Sequence, residues 1–178
     1  MVRTRVGYAG GTLKDPTYHN LGDHTETLQI DYDPAKLTFE QIIDRVWESH
    51  NPCGSTAWSR QYMSAIFYQT EEERKTIETG KARISEKRGQ PVKTAILPLT
   101  KFYLAEDYHQ KYELQCNAEL LKEFKTLYPD PKDFVNSTAA ARVNGYLSGQ
   151  GSSDQLKTEV DLLGLSAEGR KRLQVYAR

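Results

Sequence analysis

Two helix starts are written into this chain, and the short β-type runs around them limit what it can fold into. Thr38 followed by Gln41, and Thr70 followed by Glu73, each match a capping box, in which paired side chains satisfy the first free N–H groups of a helix. The first box predicts a helix from about Phe39 to His50, where Ile42, Ile43, Val46, Trp47 and His50 recur at helical spacing until Pro52. The second opens a charged helix that fades near Gly89-Gln90-Pro91. Strand-like runs lie at Val2 to Tyr8, Thr27 to Tyr32 and Ser64 to Tyr68, with Val92 to Leu97 and Phe102 to Leu104 read as a second strand pair. Helices are also expected over Glu106 to Leu114 and Ala118 to Leu127. Strands interspersed with helices predict an α/β class, specifically an α+β sandwich with helices packed on one small mixed sheet.

The 178 residues suffice for one ordinary domain with a real core. Two prolines in Tyr128-Pro129-Asp130-Pro131 forbid a continuing helix there. The expected division is therefore a main domain over 1–128 and a C-terminal appendage over 129–178 packed on the core, alanine-rich at Ser137 to Asn144 and rich in glycine and serine at Gly145 to Ser153. Lysine and arginine total 24 against 24 acids with the signs interspersed, which argues against a nucleic-acid partner. No apolar run approaches a membrane span, and no signal-peptide core follows Met1-Val2-Arg3-Thr4-Arg5, so a soluble protein is expected. Two cysteines, Cys53 and Cys116, make no disulfide scaffold and suit a reducing compartment; the expected location is the cytoplasm, with an N-terminal targeting segment left open.

The chemistry-bearing residues gather near the start. Val6-Gly7-Tyr8-Ala9-Gly10-Gly11 runs into Pro16-Thr17-Tyr18 and then His24-Thr25-Glu26, placing tyrosines and a carboxylate around a glycine-rich turn. Further blocks are Asp31-Tyr32-Asp33-Pro34, Trp47-x-x-His50-x-Pro52, Gln61-Tyr62-x-Ser64-Ala65-Ile66, and Phe102-Tyr103-x-Ala105-Glu106-Asp107-Tyr108-His109-Gln110-x-Tyr112. Together, in this order, they resemble the peptide methionine sulfoxide reductase A family. The resemblance covers roughly Val2 to Leu114, and Asn136 to Arg142 looks like an extension found in one branch of that family.

The resemblance implies thiol-dependent reduction of the S epimer of methionine sulfoxide, free or in proteins, as repair of oxidative damage. It also implies a ferredoxin-like core whose first strand and helix would precede Val2. A thiolate attacks the sulfoxide sulfur, and the departing oxygen needs a proton from a carboxylic acid held ready for that step. Glu26 matches the family's acid, and Tyr18 and Tyr62 match the two tyrosines that hold the sulfoxide oxygen. His24 joins them as a candidate substrate contact. No bound cofactor is implied; the electron donor is a thiol reductant, thioredoxin or dithiothreitol, and thioredoxin is the expected recycling partner of a monomer.

Two departures qualify that expectation. The family's nucleophile lies in a Gly-Cys-Phe-Trp motif, and no such motif occurs in this sequence. The 178 residues are accordingly expected to show no turnover unless extended upstream, where a cysteine or a selenocysteine read as a stop would sit. The family's aspartate and glycine-threonine pair before the Gln-Tyr motif is replaced by Ala57-Trp58-Ser59-Arg60.

Simpler readings apply elsewhere. Cys53, after Pro52 at a helix end, would meet carbonyl ends that disfavour a thiolate, and Cys116 sits where some relatives place recycling thiols; both are candidate thiols whose ordinary role is structural. His24 has no companion ligand cluster, so no metal is expected. His50 reads as a packed histidine, and Asp107 and Tyr108 as residues that cap and pack a helix beside the site. Two readings from other classes stand beside the reductase: a pseudoenzyme that binds methionine-like side chains through Tyr18 and Tyr62, and a structural or interaction protein that keeps only the scaffold.

Overall fold

The computed structural model describes residues 2–54 and 59–177. The chain divides into two compact units, one formed by Gly7–Thr27 and Tyr32–Leu104, the other by the stretch up to Val6, Leu28–Asp31 and everything from Ala105 onward. Strands β1 (Arg3–Ala9) and β2 (Thr25–Asp31) each run from one unit into the other.

In the first unit, α1 (Phe39–Glu48) starts with a complete capping box: Gln41 N–H donates to Thr38 Oγ1 at 3.2 Å, and Thr38 N–H donates to Gln41 Oε1 at 2.9 Å. Strand β3 (Ala65–Tyr68), helix α2 (Glu71–Arg88) and strand β4 (Ala95–Pro98) follow. At α2 the reciprocal half of the box is displaced by one residue. Thr70 Oγ1 accepts from Glu73 N–H at 3.1 Å, but Glu73 Oε2 accepts from Gln69 N–H at 2.6 Å. Gly89 closes α2 in the left-handed region at φ 61°, as glycine does without steric cost. Ile43, Trp47, Ile66, Ile77 and Val92 make the core of this unit. Gly80, midway along α2, leaves room for the Trp47 indole, since a Cβ there would stand 2.5 Å from Trp47 Nε1. The close packing offsets the roughly 1 kcal/mol that a glycine costs in a helix interior.

The strand pairing departs from expectation. Residues 92–97 and 102–104 do not pair with each other: β4 lies parallel to β3 in register Ala65↔Ala95 to Tyr68↔Pro98, whereas β5 (Phe102–Leu104) lies antiparallel to β1 in register Gly7↔Leu104 to Ala9↔Phe102. Among the described residues the strands therefore form two small sheets, ordered β2-β1-β5 and β3-β4. The β3–β4 pair can be parallel because α2 supplies the crossover of a dozen or more residues that such a pair requires.

The second unit is largely helical: α3 (Tyr112–Cys116), α4 (Ala118–Leu127), α5 (Pro131–Asn136), α6 (Thr138–Leu147), α7 (Ser153–Glu159) and α8 (Ala167–Gln174). Leu114, Leu120, Phe124, Val143, Leu156, Leu163 and Leu173 share its core, so helices on both sides of Pro129 bury against one another. The continuous helix expected over 106–114 is instead a single 3-10 turn, Asp107–His109, followed by a break at Lys111 with φ 52° and then α3. Buried polar bonds explain the break. Gln110 is fully buried; its Oε1 accepts from Val6 N–H at 2.9 Å and its Nε2 donates to the Val6 and Ala105 carbonyls at 2.8 and 3.1 Å, in the manner of an added strand residue. Lys111 Nζ donates to the carbonyls of Thr4 and Val135. Asp107 and Tyr108 correspondingly sit in the 3-10 turn, which has no side-chain cap, and Tyr108 is exposed.

Candidate active site

The site is assembled on the turn after β1. Gly10 takes φ 81°, and Gly11 is pressed so close that a Cβ would stand 2.6 Å from Asp23 Oδ1 and 2.7 Å from the His24 ring. Asp23 holds the loop by accepting from Thr12 N–H at 2.8 Å, Thr12 Oγ1 at 3.0 Å and Leu13 N–H at 3.3 Å. Those bonds, the Thr12 amide above all, hold its carboxyl down at about 2. His24 is buried, with Nδ1 accepting from Gly11 N–H at 3.2 Å and Nε2 donating to the Leu13 carbonyl at 2.8 Å. This pattern selects the Nε2–H tautomer and leaves neither nitrogen for a ligand. The ring also meets Tyr103 edge-on at 5.4 Å. His24 therefore staples the loop, where the sequence suggested a substrate contact.

Tyr18 lies in a tight loop bracketed by the Thr17 and Asn20 backbones, which exchange hydrogen bonds at 3.2 and 3.0 Å. Glu26 is the second residue of β2 and is partly buried. The third element is a 3-10 turn, Arg60–Tyr62, whose start is capped by Ser59 Oγ accepting from Gln61 N–H at 3.2 Å. Thr25 Oγ1 donates to the Arg60 carbonyl at 3.0 Å and pins this turn beside β2. Its three side chains then do different things. The Arg60 guanidinium bridges two segments, Nε donating to the Asp23 carbonyl at 2.6 Å and an Nη to the Gly10 carbonyl at 3.0 Å. Gln61 Nε2 donates to Glu26 Oε1 at 2.7 Å. Tyr62, 47% exposed, hydrogen-bonds Tyr18. That bond, together with partial desolvation and the charge of Glu26, raises the Tyr62 phenol above its usual range.

Tyr18, Glu26 and Tyr62 thus converge from three separate stretches of chain. The sequence assigned no role to Asp23, Arg60 or Gln61, although Gln61 stands beside Tyr62 in one of its motifs. The replaced positions Ala57 and Trp58 lie outside the described residues; of that segment, Ser59 caps the turn and Arg60 acts as the bridge. Both cysteines are free. Cys53 packs against the core of its unit with its thiol directed at the Gln90 carbonyl, 3.8 Å away, and Cys116 is exposed at the end of α3, where it hydrogen-bonds Tyr112. His50 is tied on both nitrogens, at 2.8 Å to the Val46 carbonyl and 2.8 Å to Thr94 Oγ1, and stacks on Trp47. Among the described residues no group of three or more His, Cys, Asp or Glu is placed to hold a metal ion, and no helix is long and apolar enough to cross a membrane.

Comparison with known proteins assigns the family. The model of the family described as peptide methionine sulfoxide reductase matches residues 1–141. A peptide methionine sulfoxide reductase of Drosophila melanogaster is 40% identical over 172 residues, covering 96% of this chain and 69% of that protein. Peptide methionine sulfoxide reductase A5 of Arabidopsis thaliana is 37% identical over 151 residues, covering 82% of this chain and 59% of its own length. Among solved structures, methionine sulfoxide reductase A of Corynebacterium diphtheriae superposes with a TM-score of 0.55 at 31% identity, covering 66% of this chain and 64% of that one. The chain thus spans some six- to seven-tenths of these relatives, and it belongs to the peptide methionine sulfoxide reductase family.

Proposed function

We propose that this chain carries the acid and oxygen-binding half of a peptide methionine (S)-S-oxide reductase, with Glu26 as proton donor and Tyr18 and Tyr62 as the hydroxyls that hold the sulfoxide oxygen. The observation that supports this most is the convergence of the Tyr18–Tyr62 hydroxyl pair with Glu26, whose charge acts on Tyr62. Overall, sulfoxide and two thiols become thioether, disulfide and water. A thiolate adds to the sulfoxide sulfur, Glu26 delivers a proton to the oxygen, and the S–O electrons leave with that oxygen. In this reading the Tyr18 and Tyr62 hydroxyls meet the oxygen as negative charge grows on it, which is how preorganised donors lower such a barrier.

The expected substrates are methionine sulfoxide in proteins and the free amino acid; the expected electron donor is a dithiol of the thioredoxin class, acting on a cytoplasmic monomer. Two free cysteines suit such a reducing setting. The nucleophile in this reading is a thiolate brought to the site, and no Gly-Cys-Phe-Trp motif lies in the 178 residues to supply it. Turnover of a methionine S-sulfoxide substrate with dithiothreitol, measured on the 178 residues and on the chain extended upstream in its own gene, tests the proposal. Activity confined to the extended form is expected. Activity of the 178 residues would put Cys53 or Cys116 in the nucleophile's place, and silence in both would favour a non-catalytic binder of methionine-like side chains.

A further inference from the structure

We propose that Gln61 is the positioning residue for the acid Glu26, an inference that rests on the reductase reading above. Its side-chain amide donates to Glu26 Oε1 at 2.7 Å. An amide N–H can only donate, so Oε1 must act as acceptor in that bond, and the proton that Glu26 gives up is carried on Oε2. The amide therefore selects which carboxyl oxygen works. It also does so without charge: Arg60, the cation beside it in sequence, has its guanidinium committed to the carbonyls of Asp23 and Gly10. Glu26 is thus oriented by a neutral partner, which permits it to alternate between acid and carboxylate as it releases and regains a proton.

The turn makes this orientation relevant to the tyrosines. Gln61 and Tyr62 are consecutive in one 3-10 turn, capped by Ser59 and pinned through Thr25 Oγ1 at 3.0 Å, so the grip on Glu26 and the hydroxyl bonded to Tyr18 share one frame. Reacting groups tolerate little misplacement, and a shift of about 1 Å can cost on the order of a hundredfold in rate.

The test uses the upstream-extended chain with Gln61→Leu, which removes the donor, and Gln61→Asn, which keeps the amide but falls short of Glu26. Both are expected to lower kcat by about ten- to a hundredfold with KM within about twofold and an unchanged melting temperature, a split that loss of packing would not produce. An independent readout follows the Gln61 side-chain amide by ¹⁵N NMR in the 178-residue chain. Its resonance should shift in Glu26→Gln, which replaces the carboxyl acceptor of that bond by an amide. Unaltered kcat in both Gln61 variants, or an amide resonance unmoved by Glu26→Gln, overturns the inference. Absence of turnover in the unsubstituted extended chain would instead sink the reductase reading, and with it any catalytic role for Gln61, whatever the amide resonance shows about the contact.

Discussion

Two tyrosine–carboxylate groupings in this molecule use the same residue types to opposite ends. In the helical unit, Tyr146 is buried, donates to Glu159 Oε1 at 2.7 Å, and shares that carboxylate with Arg142. Burial first, and then the bond to Glu159, raise the Tyr146 phenol far above its ordinary value. Both carboxylate oxygens there have a fixed counterpart, and the group clamps α6 to α7. Around Glu26 the phenol is half exposed, the hydroxyls face each other, and the carboxyl is gripped by an amide. A carboxylate locked to a guanidinium holds a fold together; one held by a neutral donor stays available for proton transfer.

The sharpest break in that contrast would come from Glu26→Gln. Turnover of the extended chain should fall by at least about a hundredfold, as for loss of a general acid, with the melting temperature unmoved. Retained turnover would strip Glu26 of its role. Glu159→Ala should do the reverse. Leaving Arg142 and Tyr146 without their acceptor should cost about 2 kcal/mol of unfolding free energy in urea titration, below the full penalty for a sealed ion pair because Arg142 is partly exposed, with any turnover otherwise unchanged. A stability loss as large for Glu26→Gln as for Glu159→Ala would erase the distinction.

Smaller effects refine it. Tyr18→Phe and Tyr62→Phe should each slow turnover about tenfold or more, and the double variant should lose less than the product of the two, because each hydroxyl orients the other. Tyr146→Phe should register in stability alone. Asp23 supplies the mildest test. Its pKa is lowered from 3.8 to about 2, so its hold on the loop is complete above pH 4 and is lost as pH falls through about 2. The Thr12 and Leu13 amide signals should shift together over that window and stay constant in Asp23→Asn.

Much of this is legible in the order of residues. The helix starts at Thr38 and Thr70 and the stop at Gly89 depend on side chains satisfying backbone groups a few residues away, and such local physics is visible in the order of residues. The family blocks named Tyr18, Glu26 and Tyr62 because each is marked by its neighbours in the chain. The mixed α/β class followed from alternating periodicities alone.

Other features were decided only when distant stretches met. Alternation marks a strand but not its partner, so neither the pairing of β4 with β3 nor that of β5 with β1 could be read from it. Gln110 and Lys111 read as helix because nothing nearby reveals that Val6, Thr4 and Val135 would claim their side chains. His24 looked like a ligand-facing residue until the Gly10-Gly11 turn folded onto both its nitrogens. Gln61 and Arg60 gained their tasks from carbonyl and carboxyl oxygens 35 to 50 residues away in sequence. Sequence by itself determined which groups could act and where helices begin, since those are short-range matters of hydrogen bonding and period. Tertiary structure alone decided which oxygen each donor would find, because that depends on loop closure and packing across the chain.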